Sequence, residues 1–228
     1  MAGIRERVRA ELTSEIVRLA RAQVAADGPG ALSLRAIARD MGMASSAIYR
    51  YFPSRDHLLT QLLIDSYDRL GDAAEAADAG CDRADTTARW RAVAQAIRTW
   101  AVTNPSEYAL LFGTPVPGYM APEDTIGPAS RYTLVLIGIL ADVEASGRRF
   151  SVPLAAPLAA DLAALQAFLG VAVSSEALAV GMGAWAAVMG AITLELFGHL
   201  HNVVDTPGAL FDAVVEHHAV MLGGTAGT

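Results

Sequence analysis

The 228-residue chain contains no lysine, so all seventeen of its basic side chains are arginine. Arginine suits bidentate phosphate contacts, and this absence leaves a nucleic-acid reading intact. A single cysteine, Cys81, excludes an internal disulfide and any cysteine-based zinc site. No motif surrounds it, and it reads as a surface or packed thiol. Alternating β-branched residues are scarce, while Ala and Leu recur at helical spacing throughout, so the fold class expected is all-α. The opening residues Met1-Ala-Gly-Ile-Arg-Glu-Arg lack the apolar core of a signal peptide, which predicts a cytoplasmic location. Nucleophile–base–acid arrangements, phosphate-cradling glycine loops and the HExxH pattern are missing as well. No enzyme class is indicated, and neither a cofactor nor a metal is expected.

What the chain does have is an uneven charge. The net charge of −7 by itself argues against a nucleic-acid partner. Residues 1–57, however, hold nine arginines against six acidic residues, and the remainder holds eight against eighteen. Such asymmetry points to a basic contact module fused to an acidic body.

The pattern predicts a first helix over about 4–27, with Ile4, Val8, Leu12, Ile16, Ala20 and Val24 as a stripe that meets a core along its whole length. Asp27-Gly-Pro-Gly ends it. Ser33 can N-cap a short helix over 34–41, and Gly42 can supply the positive φ of a tight turn. A second short helix is expected over about 45–52, stopped by Pro53, with Ser54 capping a long helix over about 55–79. Gly80 through Asp85 reads as a linker, 86–103 as a helix with Trp90, Val93, Ile97 and Trp100 on one face, and Asn104-Pro-Ser-Glu107 as a helix start. Residues 113–122 read as a loop. Two or three more helices fill 123–222, with breaks near Gly147–Pro153, Gly170–Ser175 and His201–Pro207.

Two short helices joined by a glycine turn inside a basic three-helix unit form a helix-turn-helix pattern. Ile48 and Phe52, four residues apart, would anchor the second helix inward, and Ser45, Ser46, Tyr49 and Arg50 would face outward. Small side chains permit close approach to a groove, while hydroxyl and guanidinium groups reach phosphates. The stretch from Ser33 to Leu59 resembles the DNA-binding domain of TetR-family regulators. The similarity is carried by Ile37-Ala38, Gly42, Ile48-Tyr49, Tyr51-Phe52 and Leu58-Leu59. Position 55 is Arg where the family usually has Lys, and Ala44 and Ser46 stand where Ser and Gly are common.

The resemblance implies a helix-turn-helix DNA-binding domain over 1–57 and a larger helical ligand-binding and dimerisation domain over 58–228. It implies a double-stranded, palindromic operator as partner. Arg35 would reach a base or phosphate and Ser33 the backbone. Ala44, Ser45, Ser46 and Ala47 would lie at the groove, the last three meeting base edges. Tyr49, Arg50, Tyr51 and Arg55 would hold phosphates. Trp185-Ala-Ala-Val-Met-Gly190 and Leu194-Glu-Leu-Phe-Gly198 resemble the C-terminal half of a subgroup marked by a Trp-…-His-Gly signature, with Met189 in the place of the His.

In the sensing half, aromatic residues and methionines would wall a pocket for a small apolar effector. The candidates are Trp100, Tyr108, Phe112, Met120, Tyr132, Leu136, Trp185 and Met189, each of which core packing would also explain. The helices over 176–199 and 207–222 are apolar enough to form a four-helix seam with a second copy. Mean hydropathy is +0.34, and Ala177–Leu194 is an uncharged run that rises about 27 Å, at the lower edge for a membrane span. Its small residues and flanking acids favour a subunit interface, and no membrane partner is expected. Glu195 and His199 lie four apart on one helical face, with His201 and the His217–His218 pair further on. Capping and surface roles account for these histidines more simply than a metal does. A helical small-molecule-binding protein, or an enzyme, without DNA binding is the alternative reading.

Overall fold

The computed structural model describes residues 3–223. Among them the chain forms nine α-helices and three short 3₁₀ turns, with no strand. Contacts gather these elements into two compact units. The first takes the chain through Arg69 together with Asn104–Ala129, and the second takes Leu70–Thr103 and the chain from Ser130 onward.

The first unit contains α1 (Ile4–Asp27), α2 (Leu34–Asp40), the opening turns of α3 (Arg55–Ala79) and α5 (Pro105–Phe112). Ile16, Ala20 and Val24 of α1, Ile37 and Ala38 of α2, and Leu58, Leu59 and Leu62 of α3 are buried together, with Leu110, Val116 and Tyr119 packed against them. The α1 stripe is only partly inward. Ile4 is 76% exposed and Val8 48%, because α1 has 24 residues while α2 and α5, which pack on it, have 7 and 8. Its first turns run past anything that covers them.

Local chemistry fixes the boundaries. Ser33 Oγ accepts the Ala36 N–H (3.3 Å) at the start of α2. At its end, Gly42 stands at φ +64° and donates to the Arg39 carbonyl (3.0 Å), while Met43 donates to Ala38 (2.8 Å). This pair of bonds is the Schellman stop, which satisfies two orphan carbonyls. Ser54 Oγ accepts the His57 N–H (3.2 Å) and caps α3.

The second unit contains the rest of α3, α4 (Thr86–Thr103), most of α6 (Ile126–Ala145), α7 (Ala156–Leu169), α8 (Ser175–Leu196) and α9 (Pro207–Gly223). Four helices thus follow residue 123, at the expected breaks but one more than expected. Gly170 at φ +64° ends α7, and Ser174 caps α8. α4 packs on α8 and α9, and α7 on α8. Trp90 Nε1 donates to the Val215 carbonyl (3.0 Å), and Arg98 grips Glu195 with two bonds (2.8 and 2.7 Å). Glu195 is thereby committed to an ion pair. Arg89, 2% exposed, bridges Asp78 of α3 (2.7 Å) and Asp142 of α6 (2.6 Å). By length and composition Glu123–Ala145 and Ser175–Leu196 are apolar enough to cross a membrane. α8 buries Leu178, Ala184, Val188 and Ile192, as a helix inside a protein core does.

Candidate functional site

Between the Gly42 turn and Pro53 the chain is wound by a succession of tight turns. Ala47 donates to Ala44 (2.8 Å), Arg50 to Ala47 (3.2 Å) and Tyr51 to Ile48 (2.9 Å). Only Ile48–Arg50 forms a 3₁₀ helix, so the helix expected over 45–52 is shorter and tighter than a regular α-helix. The segment is pinned by a Schellman stop on one side and a proline on the other, and its two serines favour turns over helix interiors. The facing is as expected. Ile48 and Phe52 are buried, and Ser45, Ser46, Tyr49 and Arg50 are exposed.

Ala44 and Arg35 are exposed, and Ala47 is half-buried. Besides capping α2, Ser33 donates its N–H to Gln23 Oε1 (3.1 Å). Tyr51 is half-buried, with the Arg9 guanidinium 5.5 Å from its ring centroid. Arg9 also donates to the Arg50 carbonyl (3.2 Å), so an α1 arginine braces the outward turn from the side. Sequence reasoning counted Arg9 among the basic residues without placing it. An arginine forty residues upstream carries no local signal that it will lie over Tyr51. Arg55 donates to the Pro29 and Gly30 carbonyls (2.8 and 3.3 Å) and lies 3.6 Å from Asp56. In this geometry it is a strut between α3 and the α1–α2 connection.

A cavity of about 330 Å³ lies within the second unit. Its walls are Ser130, Thr133, Leu136 and Leu140 of α6, Leu178 and Trp185 of α8, Leu165 and Phe168 of α7, Trp90 and Leu222, among others, and none of the lining residues is charged. α6 and α8 approach closely there: a Cβ on Gly181 would stand 2.4 Å from Leu140 Cδ1. Of the eight residues expected to line an effector pocket, Leu136 and Trp185 line this cavity. Trp100, Tyr132 and Met189 are buried in the same unit outside the lining. Tyr108 and Phe112 belong to the first unit, their ring centroids 5.1 Å apart, and Met120 is 89% exposed. Residue type singles out large apolar side chains but not which of them face a void. The missed part of that wall, Ser130, Thr133 and Ile137 on α6 and Leu178 and Gly181 on α8, is legible only as neighbours three or four residues apart.

An all-helical chain with a basic first segment, a Schellman turn and an outward turn bearing Tyr49 and Arg50 has the build of a helix-turn-helix DNA-binding regulator. Comparison with known proteins agrees. The family model for bacterial regulatory proteins of the tetR family matches residues 16–62, and the model for the tetracyclin repressor-like C-terminal domain matches residues 90–218. HTH-type transcriptional regulator Rv1816 of Mycobacterium tuberculosis is 42% identical over 220 residues, covering 92% of each chain. The crystal structure of SCO4313 is similar at TM-score 0.76 and 34% identity, over 95% of this chain and 98% of that one. The TetR-family regulator PfmR from Thermus thermophilus shares the fold at TM-score 0.59 and 17% identity, over 93% and 99% of the two chains. The chain belongs to the TetR family of transcriptional regulators; it is a DNA-binding regulator and not an enzyme.

Proposed function

We propose that the protein is a cytoplasmic, homodimeric repressor that leaves a palindromic operator when a small apolar effector fills the cavity between α6 and α8. Residues 1–57 hold the DNA, and residues 58–228 hold the effector and the second copy. The observation that carries the DNA-contact assignment is the exposure of Ser45, Ser46, Tyr49 and Arg50 on a turn whose opposite side, Ile48 and Phe52, is buried. Ala44, Ser45, Ser46 and Ala47 are the groove-facing set, and Arg35 reaches a base or phosphate. Ser33, Tyr49, Arg50 and Tyr51 hold the backbone, with Arg55 adding its remaining N–H groups after its two carbonyl bonds. Pairing of α8 and α9 with a second copy is supported by Met182 and Leu194 on α8, Phe197 just past its C-terminal end, and Val220 and Met221 on α9. All five are large, apolar and exposed in the single chain. Two recognition turns about 34–36 Å apart would then read two half-sites.

Release requires the effector to bind one spacing of those turns better than the other. α3 is the covalent route for that difference, since one helix supplies residues through Arg69 to the first unit and from Leu70 to the second. The test begins with selection of bound fragments from a genomic pool, followed by anisotropy titrations at several salt concentrations. Arg50→Ala is expected to weaken binding to every sequence about tenfold and to lower the salt slope by about 1, as loss of one phosphate contact does. Arg35→Ala is expected also to relax sequence choice. Full affinity and an unchanged slope in both variants would remove the proposed contact assignment.

A further inference from the structure

Helix α1 outruns the core that it helps to build. Exposure rises toward its start, from Ile16 at 0% through Val8 at 48% to Ile4 at 76%, so its first two turns stand clear of the packed residues. This overhang is joined to the recognition turn. The Arg9 guanidinium donates to the Arg50 carbonyl (3.2 Å) and lies 5.5 Å from the Tyr51 ring centroid. Residues four apart share a helix face, so Arg5 continues the Arg9 side about 6 Å further from the core. Arg7, two positions from Arg5 and about 200° around the axis, faces the other way.

The arginines of the overhang differ from most others in the chain. Further along α1, Arg18 pairs with Glu15 (2.6 Å) and Arg21 with Asp65 (2.6 Å). In the second unit Arg89, Arg91, Arg98 and Arg131 each hold a carboxylate. Arg5, Arg7 and Arg9 form no ion pair among the described residues. Glu6, the one acidic residue over 3–10, sits in the first turn, where the helix dipole favours a negative charge. The dipole disfavours a cation at the same place, so folding gains nothing from Arg5 there. A polyanion does. Three arginines against one glutamate leave the overhang at +2, beside a turn whose own Arg50 is exposed.

We infer that the first turns of α1 are a second DNA-contact element, with Arg5 bonded to a backbone phosphate beside the half-site that the Tyr49–Arg50 turn occupies. Arg5 supplies affinity there and not sequence choice. The inference rests on the reading of that turn as the face that meets DNA. Anisotropy titrations at several salt concentrations use the full-length protein, a genomic fragment that it selects and an unrelated duplex of equal length. Arg5→Ala is expected to weaken binding to both duplexes about fivefold and to lower the salt slope by about 1, and Arg5→Lys to restore the slope. Arg7→Ala removes the same charge from the other side of the helix and is expected to weaken binding by less than about twofold, since a charge without a phosphate contact acts only through screened attraction. Both positions are exposed, and thermal melting checks that the variants fold alike. Full affinity in Arg5→Ala would overturn the inference, as would equal losses in the Arg5 and Arg7 variants, which would mean that net charge alone is sensed. Loss in Arg50→Ala beside an unaffected Arg5→Ala would strike the α1 contact and leave the turn assignment standing. Loss in Arg5→Ala beside an unaffected Arg50→Ala would do the reverse.

Discussion

A side chain at position 42 would find open space, since nothing lies within 4 Å of an added Cβ, yet the backbone there stands at φ +64°. The penalty of Gly42→Ala is therefore conformational alone, about 1–2 kcal/mol, and a urea titration should show it. Gly42→Asn should lose less, because Asn tolerates the left-handed region. The two cavity tryptophans make a sharper pair. The Trp185 N–H is buried without a hydrogen-bond partner, whereas the Trp90 N–H is bonded to Val215. Trp90→Phe forfeits one hydrogen bond to a carbonyl that stays within the ladder of α9 and should cost about 0.5–1.5 kcal/mol, while Trp185→Phe discards only an unsatisfied donor and should cost less in the same titration. Equal losses would show that the two indoles owe their stability to packing alone. At this scale the capping serine and the turn glycine were legible in the sequence, because both are local devices with few substitutes. The strut made by Arg55 and the brace made by Arg9 were not. Each depends on carbonyls or a ring from a segment that the chain brings near only on folding.

Helices α1, α3 and α4 begin and end where capping residues, Gly-Pro runs and apolar spacing put them. The segment over 44–52 is the exception. Its apolar anchors Ile48 and Phe52 mark which side goes inward, but two anchors in so short a segment do not distinguish an α-helix from successive 3₁₀ turns. Between α6 and α8, Gly181 leaves room for Leu140. Gly181→Ala should destabilise by about 1–3 kcal/mol through overpacking, and Leu140→Ala in the same chain should recover part of the loss. A double-mutant cycle on unfolding free energies measures that coupling, and simple additivity would mean the two helices shift apart freely. Arg89 ties α4 to α3 and α6 at once through Asp78 and Asp142. Its removal as Arg89→Met leaves Asp78 without its cation and Asp142 with only the exposed Arg83, and should cost about 3 kcal/mol.

For the whole molecule, the composition forecast a basic segment on an acidic body and the periodicity forecast an all-α chain. Where the void lies was hidden, since a cavity is a failure of several helices to meet, and no single helix records it. Assembly is the property to test at this scale. Leu194, 41% exposed on α8, sits on the proposed seam. Leu194→Glu is expected to give a monomer in sedimentation velocity and at least about 100-fold weaker operator binding, because the second half-site is no longer held in place by the first. A variant that stays dimeric would move the seam elsewhere.

The unit that bears Tyr49 and Arg50 is not one stretch of chain, since Leu110, Val116 and Tyr119 return to close its core after α4 has been built into the other unit. No autonomous headpiece can therefore be cut from this protein. A protease nick in the 80–85 loop severs the chain between the two halves of one core, and a fragment ending at Arg69 would emerge with raw apolar surface. Folding of the part that meets DNA has to wait for synthesis of residues well beyond it.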